Sequence, residues 1–206
     1  MARRPDRRVQ RTHQLLRAAL LELVREKGFE PLRVQDILDR ANVGRATFYA
    51  HFDNKEDLLL SGLDGLRASL REIQRQAHAR GRRPEQRLFA FTHELFAHVE
   101  GHRDVFQPMA GQRSGAVIRR VFQKMLVDLV REDVKALAPD EANSVRTEFK
   151  VRFAAGALFA LLMWWLEDRP RLGVAELDAR FRQLAVPVVT EGLRGSAILS
   201  LPNVRA

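Results

Sequence analysis

The chain has 206 residues, no cysteine, and 35 Lys and Arg against 26 Asp and Glu, which gives a formal net charge of +9 at pH 7. The lack of cysteine excludes a disulfide framework and a thiolate metal site, and it is compatible with a reducing cytoplasm. With 46% apolar residues, the chain can bury a sizeable core, in one large domain or two small ones. The positive charge favours an anionic partner, nucleic acid or an acidic membrane surface, and is equally open to a role in solubility alone.

The N-terminal part of the chain combines a basic arm with an amphipathic helix. The opening MARRPDRRVQ has the positive flank of a signal peptide, but the stretch after it is amphipathic and charged, unlike the apolar core of such a peptide. A helix is predicted from about Val9 to Lys27, and Gly28 ends it. The arm is compatible with a solubilising tail or with contacts to a nucleic-acid backbone or minor groove. Its arginines are Arg3, Arg4, Arg7, Arg8 and Arg11.

Residues 28 to 58 predict two short helices joined by a tight turn. Val34 to Ala41 supplies the first helix, with apolar residues at three- and four-residue spacing. Asn42-Val43-Gly44 supplies the turn, because Asn and Gly tolerate a left-handed backbone. Arg45 to Phe52 supplies the second helix, and such a helix-turn-helix lays its second helix in the major groove of DNA. Phe48 and Phe52 are expected to point inward, whereas the residues expected to point outward are Arg45, Thr47, Tyr49 and His51. The face of the preceding helix that should pack over the motif consists of Leu16, Ala19, Leu20, Leu23 and Val24.

The run ANVGRATFYAHF at residues 41–52, followed by Asn54-Lys55-Glu56, resembles the DNA-binding signature of TetR-type transcriptional regulators. The resemblance is specific over residues 10 to 60 and architectural over the rest. It implies an all-α protein of about nine helices, in which a three-helix DNA-binding domain is joined by a shared fourth helix to a larger helical ligand-binding and dimerisation domain. The implied divisions are 1–54 for DNA binding, 55–79 for the connecting helix, 80–195 for effector binding and dimerisation, and 196–206 for a frayed tail.

The resemblance also implies a set of DNA contacts on and around the second motif helix. Arg45 could read a guanine edge with its guanidinium fork, or could contact a phosphate without reading sequence. Tyr49 could contact DNA or could instead cap the small core beside Phe48. Lys55 starts the next helix, where its charge and free backbone N–H groups would suit a phosphate. The candidate DNA-binding residues are Arg33, Gln35, Gly44, Arg45, Ala46, Thr47, Tyr49, His51 and Lys55.

The remaining chain predicts six further helices at helical apolar spacing. Asn54 is the expected N-cap of the connecting helix, which runs to about Ala79. A continuous helix is expected from Glu85 to Glu100, followed by a short helix that holds Val105 and Phe106 and ends before Pro108. Longer helices are expected over 114–137, over 139 to about 167, and over 174–193 with a bend near Pro187.

One predicted helix is apolar on all sides, from Phe153 to Leu166, and so must be covered on every side. Its 14 residues are shorter than the roughly 20 that span a bilayer, so no membrane is expected. Either it lies buried within a monomer or one side faces a second copy of the chain. The dimer is preferred, because a palindromic DNA site calls for two motifs about one helical turn apart. The expected interface, which by resemblance includes the last helix, consists of Ala155, Gly156, Ala160, Leu177, Phe181, Leu184 and Val188.

Large apolar residues on several predicted helices suggest what the larger domain binds. The resemblance implies a small-molecule effector at its centre, largely apolar or aromatic, with His93 and Gln123 as polar handles. Each residue could equally be plain core, and a cavity is preferred only for the set as a whole. The candidate pocket residues are Phe89, His93, Phe96, Phe106, Met109, Phe122, Met125, Phe159, Met163 and Trp164.

No metal site, cofactor or catalytic motif is expected. Glu94, His98 and His102 are spaced by four, but Gly101 interrupts the helix and nothing else supports a metal, so a solvated face is preferred. The sequence therefore predicts a homodimeric regulator that binds a palindromic double-stranded DNA operator. It is expected to be cytoplasmic and non-enzymatic, and a repressor is preferred to an activator. The alternatives are a DNA-binding regulator without a ligand, and a helical carrier or enzyme with a vestigial motif.

Overall fold

The computed structural model describes residues 7–80, 83–104, 106, 115–137, 139, 143–168 and 170–191. Within these ranges the chain is built of helices and turns and contains no strand, so the all-α prediction is confirmed. The predictions that involve Arg3, Arg4, Val105, Pro108 and Met109, and the tail from residue 196, lie outside the described residues.

Nine helices lie within the described residues. The bounds are α1 Arg7–Lys27, α2 Val34–Ala41, α3 Arg45–Tyr49, α4 Lys55–Arg80, α5 Pro84–Arg87, α6 Thr92–Gly101, α7 Gly115–Leu137, α8 Val145–Asp168 and α9 Val174–Thr190.

A first apolar core joins α1, α2, α3 and the start of α4. The five α1 residues expected to cover the motif are all buried, from Leu16 to Val24, as are Ile37 and Leu38 of α2. Phe48 is fully buried and Phe52 nearly so, and Leu58 brings the beginning of α4 into the same cluster. The inward face predicted for the helix-turn-helix is therefore confirmed, and burial of these large side chains is the main force that holds three short helices together.

A second core joins the rest of α4 to the turn after α5 and to helices α6, α7, α8 and α9. Leu66 and Leu70 enter it from α4, Leu126 and Leu129 from α7, and Trp165 from α8. Two aromatic pairs lie within it: Phe96 packs against Trp165 with ring centroids 6.1 Å apart, and Phe89 against Phe181 at 5.3 Å. The helix α4 thus contributes side chains to both cores.

The predicted start of α4 is confirmed in detail. The Asn54 side chain accepts a hydrogen bond from the Asp57 backbone N–H at 2.8 Å, which is the interaction of an N-cap. In return, the Asp57 carboxylate accepts one from the Asp53 N–H at 3.2 Å. Glu56 and Asp57 lie in the first turn, where the helix dipole favours negative charge.

The continuous helix predicted from Glu85 to Glu100 is wrong, because the chain turns between α5 and α6. Phe89 has a positive φ of 57°, which breaks the helical hydrogen bonding. Its backbone N–H donates to Asp133 at 2.7 Å, and that buried carboxylate also accepts from Gln74 at 2.7 Å. The His78 ring lies 2.8 Å from the same carboxylate. A contact with a residue on α7 therefore decides the local backbone, which the periodicity of the segment alone did not indicate.

Two other helix ends differ from expectation. The second motif helix ends at Tyr49 rather than Phe52, although the Phe52 N–H still bonds to the Phe48 carbonyl at 2.9 Å through the following turn. The helix expected from Pro139 begins at Val145, after Ser144 has capped the Thr147 N–H at 3.1 Å. Pro139 itself lies in a 3₁₀-helical turn.

Helix α8 is long and apolar enough to span a bilayer by length and composition, a test that the core helix of a soluble protein also meets. One side of it is buried in the second core, including Val151, Leu158 and Leu162. The opposite side stays exposed although it carries Phe149, 72% exposed, and Phe153, 50% exposed. The monomer therefore covers only part of this helix.

Candidate nucleic-acid interface

The turn of the helix-turn-helix is formed by a left-handed asparagine. Asn42 has φ 50° and ψ 49°, and the Val43 N–H returns to the Leu38 carbonyl at 3.1 Å to close the end of α2. Gly44 has an extended backbone with φ −69°, so the left-handed role expected for this run falls on Asn42 alone. Gly44 precedes α3 and offers no side-chain cap to its first N–H groups.

Helix α2 is fastened at its start and along its outer face. The Arg33 backbone N–H donates to the Asp36 carboxylate at 2.8 Å, and this bond, together with Lys27, holds the Asp36 pKa below its usual range. Gln35 donates to Asp39 at 2.8 Å one turn later. Arg40 bonds the Glu26 carboxylate of α1 through both terminal nitrogens, at 2.8 and 2.7 Å. These contacts fix the backbone at the start of α2, from which the exposed side chains of Arg33 and Gln35 project.

Helix α3 places its polar side chains in solvent while its single buried residue anchors it. Arg45, Ala46 and Thr47 are all exposed, and Tyr49 is 47% exposed. The Tyr49 ring meets the Phe48 ring edge to face at 5.3 Å, and the Arg45 guanidinium lies 5.6 Å from the Tyr49 ring centroid. Tyr49 thus packs on the core with one side and remains accessible with the other, and Arg45 is held along the outer surface by a cation–π contact.

His51 lies after the end of α3, in the turn, and is exposed. Its ring contacts that of His13 on α1, with centroids 4.9 Å apart, and His13 also packs on Phe52. Burial, the nearby His51 and the charge of Arg17 lower the pKa of His13. The sequence did not indicate this histidine pair, because the two residues are 38 positions apart in the chain and only the fold brings their side chains together.

Lys55 differs most from its expected role. Its ammonium donates to three backbone carbonyls in the loop after α1: those of Phe29 at 3.0 Å, Glu30 at 3.0 Å and Leu32 at 2.9 Å. It also lies 4.6 Å from the centroid of the Phe29 ring. All three N–H donors of the ammonium are then in use. Without DNA, this side chain makes a structural contact that joins α4 to the α1–α2 loop, and its expected phosphate contact stays a prediction.

Sequence profiles of two known groups match this chain. Residues 15–61 match the profile described as "Bacterial regulatory proteins, tetR family", which spans the whole helix-turn-helix. Residues 86–185 match the profile described as "Transcriptional regulator C-terminal region". The chain belongs to the TetR family. It is a DNA-binding transcriptional regulator of the helix-turn-helix type, in a family of regulators rather than enzymes.

Individual TetR-type relatives agree with this assignment. The uncharacterized HTH-type transcriptional regulator YxbF of Bacillus subtilis is 46% identical over 55 residues, a match that covers 26% of this chain and only 14% of that protein. The crystal structure of a TetR-family regulator from Syntrophomonas wolfei superposes with a TM-score of 0.72 and 17% identity, over 92% of this chain and 98% of that one. FadR of Thermus thermophilus, a TetR-family repressor in complex with lauroyl-CoA, superposes with a TM-score of 0.65 and 26% identity, over 94% of this chain and all of that one.

The larger helical domain, which contains α5 to α9, is called the body below. The residues expected to line a pocket at its centre do not form one group. Phe89, Phe96, Phe122 and Met125 are at most 4% exposed and are packed in the second core. His93 is exposed and Trp164 is 38% exposed, so neither faces that core and their assignment to a central pocket is wrong. Partly buried residues against the core are Phe106, Phe159 and Met163.

The expected dimer-interface residues also divide into two sets. Ala155, Leu177 and Phe181 are at most 2% exposed and belong to the core of the monomer, so their assignment to an outer surface is wrong. Leu184 is 72% exposed and Val188 40%, and Gly156 and Ala160 are accessible on α8. The exposed apolar face of α8 and α9 consists of Phe149, Phe153, Gly156, Ala160, Trp164, Leu184 and Val188.

Phe149 was missed and Trp164 was placed on the wrong side, although the sequence carries a signal for both. Positions 149, 153, 160 and 164 repeat at four and seven residues, which marks one face of a helix. That face is apolar, and so is the face that enters the core. Because the helix is apolar on all sides, the periodicity of either face is difficult to recognise in the sequence.

A cavity of about 220 Å³ lies between the helix-turn-helix unit and the body. It is bordered by α1, by the first two turns of α4 and by the end of α6. Of the residues expected to line an effector pocket, only Phe106 borders it. The other residues around it are Arg17, Leu20, Leu21, Leu58, Leu59, Gly62, Leu63, His98 and His102.

Proposed function

We propose that this TetR-family chain is a cytoplasmic repressor that binds a palindromic operator as a homodimer, with α3 of each copy in the major groove. The observation that carries the proposal is the exposure of Arg45, Thr47 and Tyr49 on a helix anchored by the buried Phe48. An exposed guanidinium can bond guanine bidentately, and a rigid helix presents it in one register. The formal charge of +9 supports binding to a polyanion.

Dimerisation through the apolar face of α8 and α9 completes this proposal. The face carries Phe149 and Leu184, each 72% exposed, and Val188, 40% exposed, which are costly to leave in water. Gly156 and Ala160, between the phenylalanines and Trp164, allow close approach of a second helix. A two-fold axis through this face would give each operator half-site its own α3.

Release from the operator by a largely apolar small molecule is the third part of the proposal. FadR of Thermus thermophilus, 26% identical, was crystallised with lauroyl-CoA, a ligand with a long apolar chain. An effector of this kind changes DNA binding only when its affinities for the DNA-competent and DNA-incompetent states differ. No catalytic step is part of the proposed function.

A regulator that senses no ligand is the second candidate. The dense packing of Phe89, Phe96 and Phe122, each at most 4% exposed, supports it, because these residues leave little access to the body centre. A panel of apolar and amphipathic compounds that leaves the unfolding temperature unchanged would favour this candidate.

Selection of bound duplexes from a random DNA pool tests the operator proposal. We expect enrichment of an inverted repeat with half-site centres about 10 base pairs apart or a multiple of that spacing. Enrichment of no symmetric site by the folded protein would overturn the proposal.

Arg45→Ala should weaken binding to the selected operator by about 10- to 100-fold, as expected for loss of one bidentate base contact. The matched control is Arg75→Ala on α4, since Arg75 is exposed and bonds only Glu72 among the described residues. Equal affinities of the two variants would exclude Arg45 from the interface. An Arg45→Ala loss that is the same for every duplex sequence would assign Arg45 to a phosphate.

A further inference from the structure

The cavity between the two cores combines apolar walls with a cationic corner. Leucines of α1 and α4 and the Phe106 ring form most of its surface. The polar atoms come from Arg17 on α1 and from His98 and His102 at the end of α6. A site of this kind suits a ligand with an apolar body and a single anionic group.

Arg17 supplies a charge that the described part of the protein does not neutralise. Its Nε donates to the Ser61 hydroxyl at 3.0 Å, and that hydroxyl donates in turn to the Leu58 carbonyl at 2.6 Å. No described carboxylate lies within ion-pair distance of the Arg17 guanidinium. The Ser61 bond uses one edge of the guanidinium and fixes its orientation, which leaves terminal N–H groups for a carboxylate.

The two histidines form the adjoining wall. Their rings are stacked with centroids 4.4 Å apart, and the His102 Nδ1 lies 2.9 Å from the His98 carbonyl, to which it can only donate. His98 also meets Phe106 edge to face at 6.1 Å. Burial and then the neighbouring His102 lower the pKa of His98, which Glu94 partly offsets. An anion beside the pair would favour its protonated form, so that the wall adapts to the ligand charge.

We propose that this junction cavity is the effector site, and that it binds a small amphipathic monocarboxylate. The carboxylate contacts Arg17 and the histidine pair, and the apolar body lies against Leu20, Leu59 and Leu63. A volume of about 220 Å³ is below the roughly 300 to 1,000 Å³ of pockets for drug-sized ligands, so the apolar body is compact, an aryl group or a short alkyl chain.

The position of the cavity links its occupancy to DNA binding. Leu20 and Leu58 belong to the core of the helix-turn-helix unit, whereas α6 packs in the core of the body. An ion pair between Arg25 of α1 and Asp104, just after α6, spans the same junction. A ligand that fits best when α6 stands further from α1 and α4 would favour that arrangement over the unliganded one. This consequence rests on the proposed function, whereas occupancy of the cavity does not.

Calorimetric titration of the full-length chain, without DNA, tests the site. The ligands are benzoate, 3-phenylpropionate and octanoate, each compared with its primary amide. We expect at least one carboxylate to bind once per chain and its amide to bind at least tenfold more weakly. Binding of none of the three carboxylates, or equal binding of acid and amide, would overturn the proposal.

Three variants locate the binding. Arg17→Gln should weaken the carboxylate at least tenfold. Gly62→Leu should abolish binding, because a Cβ at Gly62 meets no atom within 4 Å and the larger side chain can enter the cavity. Arg11→Gln is the control, an exposed arginine on the same helix that does not border the cavity. Unchanged affinity in both Arg17→Gln and Gly62→Leu would place the ligand elsewhere and overturn the assignment.

Operator titrations separate this proposal from the proposed function. We expect the bound carboxylate to weaken operator binding of the native chain by about tenfold or more, and to leave that of Gly62→Leu unchanged. A carboxylate that binds at the cavity but does not change operator affinity would overturn its role as effector. Failure of the chain to select any operator would overturn the proposed function while the calorimetric result stood.

Discussion

At the scale of single residues, Lys55 shows how a side chain with the right charge can have a structural task. Lys55→Met keeps most of the apolar stem of the side chain but removes the ammonium group. The three backbone carbonyls that accept hydrogen bonds from it would lose that donor. We expect a loss of about 2 kcal/mol in the free energy of unfolding, the usual range for charge-assisted bonds. Chemical denaturation monitored by circular dichroism measures it.

The control is Lys27→Met, which removes an exposed ion pair with Asp36 of 3.4 Å and should cost less than about 1 kcal/mol. If Lys55→Met were as stable as the native protein yet bound all duplexes more weakly with a reduced salt dependence, the side chain would contact phosphate after all.

A second prediction at this scale concerns acid. The pKa of His98 is lowered from its usual 6.5 mainly by burial, so at pH values between the folded and unfolded pKa the unfolded chain binds more protons. Stability should therefore fall as the pH drops from 7.5 to 5.5. His98→Gln cannot titrate and should show a smaller fall in unfolding temperature over this interval.

His13, whose pKa is lowered as well, stays in that variant, so the fall is reduced rather than removed. Substitution of the exposed His93, His93→Gln, is the control for the loss of one imidazole from the same helix. A steeper fall in His98→Gln than in the native chain would show that the sign is wrong.

At the scale of elements, the N-cap of α4 affects the whole molecule because this helix enters both cores. Asn54→Ala removes the bond to the Asp57 N–H and should destabilise the protein by about 1 kcal/mol. Asn54→Asp keeps an acceptor at the same place and should cost much less. Urea denaturation midpoints distinguish the two, and equal midpoints for Ala and Asp would mean that the cap contributes nothing.

The helix-turn-helix could be predicted from sequence because its determinants are local. Asn42 supplies the left-handed residue that ends α2, and the spacing of Ala41 by four and three residues from Ile37 and Leu38 marks the buried face. The outward direction of Arg45 and Tyr49 follows from the inward direction of Phe48. The bounds predicted for α2 are those observed.

Elements whose ends depend on distant contacts could not be predicted in this way. The break at Phe89 depends on Asp133, 44 positions further along the chain. Lys55 was assigned by its place at a helix start, but its partners are carbonyls 23 to 26 positions earlier. The junction cavity requires α1, α4 and α6 to meet, and no periodicity within one helix specifies that meeting.

At the scale of the whole molecule, the exposed apolar face predicts an assembly. Leu184→Arg places a charge on a face that should be buried between two copies, so it should convert a dimer to monomers at micromolar concentration. Leu15→Arg is the matched control, since Leu15 is 45% exposed on α1, away from this face. Sedimentation velocity measures both. A native chain that sediments as a monomer would exclude a dimer formed through α8 and α9.

The length of α4, the helix that enters both cores, determines how far the DNA-binding end moves when the helix tilts. With 26 residues, α4 is roughly 39 Å long at about 1.5 Å per residue. It therefore acts as a lever arm: a tilt of only about 3° about its C-terminal end displaces its N-terminal end by about 2 Å. In a two-fold assembly the displacements of the two copies add to about 4 Å, a large error against a half-site repeat of about 34 Å. Rotations comparable to the thermal motion between packed helices would then suffice to misalign the two α3 helices with the two half-sites of the operator.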